Sequence, residues 1–199
     1  GRSLAEKFAS EKENLIIISS DIQDLNAIKH DLELRYGVSV YPLEIDFKSL
    51  TINFEQLDNA IENLKQIKGV LLPIGVSDPV DNPMVDEKRI IEIFNINLVN
   101  VCIFVNHILK ILKNEKLTIV GCGSISASRG RSRNSTYASS KRGLESFFES
   151  LRHFQYKSNK IIQFYTLGYL DTNLTFAEPL KGFKPINVYK VAEIIFKNI

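Results

Sequence analysis

Three polar side chains in one segment have the types and the spacing that proton transfer requires. Tyr137 and Lys141 are four residues apart, so on a helix both side chains lie on the same face. A lysine ammonium beside a phenol favours the phenolate and would lower the tyrosine pKa from its usual value of about 10. Ser124 precedes Tyr137 by 13 residues and follows the apolar run from Leu117 to Val120. The segment therefore predicts an acid–base pair, with a serine after a predicted strand, where catalytic groups of open α/β sheets collect.

The spacing of the tyrosine and the lysine is not specific by itself. The same pattern recurs at Tyr156 and Lys160, in a lysine-rich stretch that is typical of a solvated helix end. Position 143, which lies 13 residues before Tyr156, is a glycine. The first copy is therefore the candidate site, and the second serves as its comparison.

The hydrophobic pattern around this segment alternates between strand-like runs and helix-like stretches. It predicts repeated βα units, hence an α/β fold with a three-layer, doubly wound, mostly parallel sheet in a single domain over residues 1–199. In such a fold the first strand lies in the middle of the sheet, yet the chain begins with a helix pattern. We therefore expect this first strand to be absent. The predicted strands are 14–19, 38–45, 69–74, 117–120 and 161–167, and the predicted long helices are 87–113 and 135–156.

The composition is that of an ordinary folded domain, with 44% hydrophobic and 24% charged residues and a formal net charge of +2. The balanced charge does not favour nucleic acid, and no apolar run reaches the length of a membrane span or a signal peptide. Cys102 and Cys122 lie in apolar runs, as buried free thiols do in a reducing compartment. The three histidines are scattered and predict no metal site. We expect a cytoplasmic protein without nucleic-acid or membrane partners.

The serine, tyrosine and lysine, together with the elements that carry them, resemble the short-chain dehydrogenase/reductase family. The resemblance covers nearly the whole chain and implies a Rossmann-type fold that binds NAD or NADP. It implies hydride transfer between the nicotinamide and a carbonyl or alcohol substrate, with Tyr137 exchanging the proton, Ser124 polarising the substrate oxygen and Lys141 binding the ribose. Asn97, in FNINL, matches the family's active-site asparagine, which helps to hold a water for proton relay.

The same resemblance assigns the cofactor-binding residues. Gly1 matches the last glycine of the family's Gly-rich loop, most of which is absent here, Asp46 matches an aspartate at the adenine, and Gly75 matches the glycine of N-N-A-G. The segment from Leu167 to Thr172 resembles P-G-x-x-x-T, which holds the nicotinamide carboxamide. The full predicted set is Gly1, Ser19, Ser20, Asp46, Phe47, Gly75, Tyr137, Lys141, Gly168, Leu170 and Thr172. No acidic residue stands at Ser19 or Ser20 to bond the adenosine ribose, which slightly favours NADP over NAD.

Several positions depart from the family pattern. Leu72 and Pro73 replace the two asparagines of N-N-A-G, and Leu167 replaces the proline before Gly168. These changes keep a second hypothesis open, namely a catalytically weak or silent dinucleotide-binding protein of the same fold with a regulatory or interaction role.

Two further expectations concern the substrate and the assembly. The loop from Asn173 to Lys184 is short and mixes aromatic with basic residues, which favours a small or polar substrate over a large lipid. The two long helices carry more apolar residues than one sheet contact needs, which predicts a homodimer or homotetramer.

Overall fold

The computed structural model describes residues 1–64, 66–78, 81, 86–130, 132–172 and 184–199. Their contacts divide the chain into two compact units, residues 1–66 with 187–199 and residues 67–186. The loop that was predicted to shape the substrate pocket lies outside the described residues except for Lys184. The assignment of residues 1–199 to a single domain, and the absence of a first strand, stay predictions.

Among its described residues, the first unit contains two parallel strands and four helices. Strands β1 and β2 are paired in parallel, with Leu15 opposite Val40 at one end and Ser19 opposite Glu44 at the other. The hydrophobic core of the unit includes Ala9, Leu32 and Val40. Helix α2 begins at Asp21, whose carboxylate accepts a hydrogen bond from the backbone N–H of Asp24. The elements are α1 (Arg2–Ser10), β1 (Leu15–Ser19), α2 (Ile22–Tyr36), β2 (Val40–Glu44), α3 (Glu55–Glu62) and α7 (Val188–Lys197).

The second unit is a parallel three-stranded sheet with β4 in the middle. The elements are β3 (Gly69–Leu72), α4 (Glu87–Phe94), a π-helical turn (Asn95–Val99), α5 (Asn100–Ile111), β4 (Leu117–Ser124), a 3₁₀ turn (Ile125–Ser128), α6 (Ser135–Phe154) and β5 (Lys160–Leu167). Residues 117–123 of β4 are buried, and Phe148 of α6 packs against this strand with no exposed surface. Because the three strands are parallel and in sequence order β3-β4-β5, their carboxyl ends lie at one edge.

The predicted α/β class with parallel strands is confirmed, and the predicted end of the strand that begins at Leu117 is wrong. Strand β4 was predicted to end at Val120 but continues to Ser124. Gly121 and Gly123 interrupt the apolar pattern, yet they belong to the strand because the rings of Phe148 and Phe164 occupy the space where side chains would be. The predicted helix 87–113 ends at Ile111 and contains the π turn at Asn95–Val99.

Among the described residues, one helix is long and apolar enough to span a membrane by length and composition alone. It is the continuous helix from Glu87 to Ile111, and a third of its most apolar stretch is buried within the protein. Core helices of soluble proteins have the same length and composition, so this feature is weak evidence for a membrane span.

Candidate active site

The carboxyl end of β4 carries the candidate serine. Ser124 is the last residue of the strand, where it pairs in register with Leu167 of β5. Its hydroxyl oxygen accepts a hydrogen bond from the backbone N–H of Ser126, 3.2 Å away, and the chain then enters the 3₁₀ turn. Polar groups at this edge of an open α/β sheet are well placed to meet a ligand, since the strands end there.

Helix α6 brings Tyr137 next to this serine. The Tyr137 phenol is largely buried, and this burial raises its pKa above the usual value of 10. A hydrogen bond from the neighbouring Ser124 hydroxyl can stabilise the phenolate, which opposes the rise, while the nearby Cys122 adds to it. The sequence predicted that Lys141 lowers this pKa. The structure shows the opposite net direction, because the loss of solvation outweighs the favourable hydrogen bond.

Lys141 lies one turn further along α6 and is almost completely buried, with 3% of its surface exposed. Its ammonium donates to the backbone carbonyl oxygens of Ile74 at 2.6 Å and Cys122 at 3.1 Å, which tie it to the ends of β3 and β4. Burial lowers the pKa of Lys141 from 10.5 to about 8. At pH 7 the side chain is therefore still mostly a cation.

Gly75, which follows β3, lies against the side chain of Lys141. A Cβ atom at this position would lie 3.0 Å from Nζ and 3.1 Å from Cε of Lys141, closer than such atoms normally approach. The absent side chain thus leaves the room that the lysine head group fills.

Asn97 is fully buried in the π turn, and its side-chain amide is hydrogen-bonded within the protein. Its amide oxygen accepts from the Val76 N–H at 2.8 Å, and its amide nitrogen donates to the Val76 carbonyl at 2.9 Å and to the Ser140 hydroxyl at 3.0 Å. Ser140 in turn donates to the carbonyl of Tyr137. The side chain of Asn97 therefore links the loop after β3 to α6, and its role in holding a water stays a prediction. Asn100, at the start of α5, is also buried.

Sequence reasoning missed Asp81, which lies in the polar loop after β3. Its carboxylate is 1% exposed and accepts hydrogen bonds from the backbone N–H groups of Thr136 and Tyr137 at 2.9 and 2.7 Å. An aspartate in a loop rich in polar residues and prolines gives no signal of burial. A long-range contact of this kind can be found only in the folded structure.

The other predicted cofactor residues of the second unit lie at the same sheet edge or shortly after it. Gly168 follows the last residue of β5, and the segment continues through Leu170, which forms a parallel bridge with Ile186, to Thr172. Among the described residues, two carbonyls accept from the three N–H groups of the Lys141 ammonium. One donor is left for a ligand, beside a tyrosine and a serine hydroxyl. This donor set fits the hydroxyl groups of a ribose.

The predicted cofactor residues of the first unit stand at strand and helix ends. Gly1 precedes α1 directly, and Ser19 ends β1. Asp46 is exposed in the turn after β2, where its carboxylate accepts from the Lys48 N–H at 2.8 Å, while Phe47 is buried. The hydrogen bond from Lys48 gives Asp46 a role in stabilising the turn. The cofactor-binding roles of these residues and of Ser20 stay predictions.

The second tyrosine–lysine pair does not form a comparable site. Tyr156 is 84% exposed beyond the end of α6. Lys160 was predicted to be solvated, but it is buried at the start of β5 and its ammonium donates to the carbonyls of Leu112, Lys113 and Glu115. These carbonyls follow the end of α5, where a positive charge is favourable. Lys160 therefore stabilises a helix end, and this explains why the spacing alone was not specific.

Both cysteines are free, with Cys122 buried as predicted and Cys102 only partly so. Within the described ranges, no group of three or more His, Cys, Asp or Glu side chains could hold a metal ion.

The parallel sheet and the serine, tyrosine and lysine at its carboxyl edge define the chain as a Rossmann-like α/β protein with a candidate proton-transfer site. A family model described as short chain dehydrogenase matches residues 1–179. The chain belongs to the short-chain dehydrogenase family.

Curated relatives and solved structures agree with this family. The chain is 22% identical to 3-oxoacyl-[acyl-carrier-protein] reductase FabG of Aquifex aeolicus, with 88% of this chain and 71% of that protein covered. It is 26% identical to inactive hydroxysteroid dehydrogenase-like protein 1 of Pongo abelii, with 88% of this chain but only 54% of that protein covered.

The solved structures show the same fold at low sequence identity. A short-chain dehydrogenase from Sphingobium yanoikuyae in complex with NADPH matches with a TM-score of 0.88 at 15% identity, over all of this chain and 79% of the other. An alcohol dehydrogenase from Thermococcus sibiricus complexed with 5-hydroxy-NADP matches with a TM-score of 0.78 at 19% identity, over all of this chain and 86% of the other.

Proposed function

We propose that this chain is an NAD(P)-dependent oxidoreductase that interconverts a carbonyl and an alcohol, with Tyr137 as the acid or base. The observation that carries the proposal is the placement of the Ser124 hydroxyl beside the Tyr137 phenol at the carboxyl end of β4, with the buried Lys141 one helical turn away. A hydroxyl pair of this kind can bind one substrate oxygen from two sides.

Near neutral pH, Tyr137 can act as the acid in the reduction of a carbonyl. The phenol carries its proton there, so it can donate that proton to the substrate oxygen as negative charge develops on it. Ser124 would donate a hydrogen bond to the same oxygen and hold it in place. The phenolate that results would recover a proton from solvent.

The proposed cofactor is a nicotinamide dinucleotide, which supplies the hydride that ends on the substrate carbon. Lys141 would bind the nicotinamide ribose with its remaining N–H, and Gly75 leaves room for its head group. The two serines Ser19 and Ser20 favour NADP slightly. The NADPH and NADP derivative bound by the two structural relatives support the same preference.

A second candidate function is a dinucleotide-binding protein of the same fold with weak or no catalysis. The replacement of the two asparagines by Leu72 and Pro73 favours it, because polar contacts at the end of β3 are lost. One relative is itself named as inactive. The intact serine, tyrosine and lysine favour the enzyme.

The experiment that tests the proposal is a titration of the protein with NADPH and with NADH, followed by nicotinamide fluorescence. We expect saturable binding, tighter for NADPH, that weakens at least tenfold in Lys141→Ala and stays unchanged in Lys157→Ala, which removes an exposed lysine. If neither dinucleotide binds to the folded wild-type protein, the proposal is wrong.

Turnover separates the two candidate functions. With NADPH and ethyl acetoacetate as a small 3-oxo probe, the enzyme should oxidise the cofactor, and Tyr137→Phe should lower kcat by at least a hundredfold. Tyr156→Phe, which changes the exposed tyrosine of the second pair, should have no effect. Dinucleotide binding without turnover of ethyl acetoacetate or a panel of small carbonyl compounds would favour the second candidate.

A further inference from the structure

Among the described residues, the buried carboxylate of Asp81 forms its hydrogen bonds with the first turn of α6. Oδ1 accepts from the Thr136 N–H at 2.9 Å and from the Ser135 hydroxyl at 3.1 Å, and Oδ2 accepts from the Tyr137 N–H at 2.7 Å. The Asp81 carbonyl also accepts from the Asn134 N–H at 2.6 Å. Three of these four bonds satisfy backbone N–H groups that a helix start leaves without intrahelical partners, and the fourth holds the side chain of Ser135.

The residue that normally caps a helix does not do so here. Asn134 precedes α6 in a left-handed conformation, with φ at 68°, and its side chain makes no capping bond. Helix caps usually have extended backbone angles that direct the side chain to the second or third N–H of the helix. Asp81, from a loop more than 50 positions earlier in the chain, provides the missing cap.

The loop that carries Asp81 also holds the other site residues. Its first part provides the Ile74 carbonyl to Lys141, and Asn97 binds both backbone groups of Val76. Arg89 of α4 fixes the next part through the Asp78 carboxylate at 2.9 Å and the Ser77 carbonyl at 3.1 Å. The described residues of this segment therefore contact the lysine, through Ile74, and the backbone of the tyrosine, through Asp81.

We propose that Asp81 is a positioning residue, which holds the backbone of Tyr137 so that its phenol stays buried against Ser124 at a fixed place relative to Lys141. The inference rests on the proposed function for its catalytic consequence, but the position of the phenol can be measured without turnover. Small displacements of a reacting group cost rate steeply, and a shift of about 1 Å can lower a rate by about a hundredfold.

The test compares Asp81→Ala and Asp81→Asn with Asn53→Ala. Asn53 caps α3 by accepting from the Glu55 N–H at 2.9 Å, and it has no place in the site. In Asp81→Asn the side chain keeps its shape, but one of the two backbone N–H groups then faces an amide NH₂ and loses its acceptor. This variant is used if Asp81→Ala does not fold.

Two measurements on folded protein decide the proposal. With ethyl acetoacetate and NADPH, we expect kcat to fall at least tenfold in the Asp81 variants, while the Kd for NADPH stays within threefold of wild type. In protein labelled at the tyrosine ring carbon Cζ, with Tyr137 assigned by Tyr137→Phe, the NMR titration should show the raised pKa of Tyr137 falling towards 10, because a loosened helix start admits water. Asn53→Ala should change neither quantity.

The outcomes separate this inference from the proposed function. If the Asp81 variants are folded and keep both the kcat and the Tyr137 titration of wild type, Asp81 is a helix cap only and the proposal is overturned. If the wild-type protein shows no dinucleotide binding or turnover, the proposed function fails, and the titration of Tyr137 alone still decides whether Asp81 positions the phenol.

Discussion

Lys141 is a cation in a place where burial strongly disfavours charge. Two backbone carbonyls accept from its ammonium, yet loss of solvation still lowers its pKa to about 8. The site therefore contains a lysine that is mostly protonated at neutral pH but loses its proton in mildly alkaline solution. For a group that is to bind a ribose hydroxyl, this sets an upper pH limit.

The buried lysine predicts a specific dependence of stability on pH. Between pH 8 and 10.5, Lys141 is mostly protonated in the unfolded chain and mostly deprotonated in the folded protein. Because the unfolded state binds more protons, the free energy of unfolding increases as the pH rises through this range. In Lys141→Met this contribution is absent. We expect the stability of wild type relative to Lys141→Met to rise by about 2–3 kcal/mol from pH 7.5 to pH 10, at about 1.4 kcal/mol for each pKa unit.

Urea unfolding at four pH values measures this difference. Lys157→Met, at an exposed lysine, is the matched control and should follow the wild type at every pH. A constant difference between wild type and Lys141→Met would contradict the pKa direction and would mean that the lysine is solvated in solution.

At the scale of single elements, β4 owes its length to two glycines. Gly121 allows the ring of Phe148 to lie against the strand, and Gly123 does the same for Phe164. The two rings also contact each other, with centroids 5.2 Å apart. Because the rings fill the space above the glycines, the strand continues to Ser124 and delivers its hydroxyl to the sheet edge.

This packing predicts that Gly121→Ala is strongly destabilising. The new methyl group would lie 2.6 Å from Cζ of Phe148, whose side chain has no exposed surface. Overpacking of this kind lowers the free energy of unfolding by about 1–3 kcal/mol. Chemical denaturation would measure it, with Gly130→Ala as control, since no atom lies within 4 Å of the corresponding Cβ.

A double variant shows whether the ring of Phe148 is the reason that Gly121→Ala is destabilising. In Gly121→Ala with Phe148→Leu, the smaller side chain should relieve the clash, so that the combined loss is less than the sum of the two single losses. If the losses in the free energy of unfolding are additive, the contact with Phe148 is not the reason that Gly121→Ala is destabilising.

Local pattern was enough to predict most elements and the central residues of the candidate site, but not the contacts that join them. The start of α6 near Ser135 was readable from the amphipathic pattern of the residues that follow it. The continuation of β4 was not, because glycine has no strand preference of its own and the reason lies in Phe148, 27 residues away. Asp81 and Lys160 were missed for the same reason: each binds backbone groups that are distant in sequence.

At the scale of the whole molecule, an apolar face remains on the helix from Glu87 to Ile111. Phe104, Val105 and Ile108 of α5 are buried in the second unit. Four other large apolar side chains on the same helix are between 39% and 56% exposed: Ile91, Val99, Ile103 and Ile111. Exposed apolar residues that recur at intervals of four or eight form a stripe, and a stripe of this kind can be buried when two copies pair about a two-fold axis.

We therefore expect a homodimer, or a homotetramer that contains this dimer, with the stripe at its interface. Ile103→Glu places a charge in the middle of the stripe and, in a two-fold interface, brings it close to the same charge of the other copy, so it should convert the assembly to monomers in sedimentation equilibrium. Leu34→Glu changes a more exposed leucine on α2 and should leave the assembly intact. A wild-type protein that sediments as a single monomeric species at high concentration would contradict the prediction, and an assembly that survives Ile103→Glu would place the interface on another face.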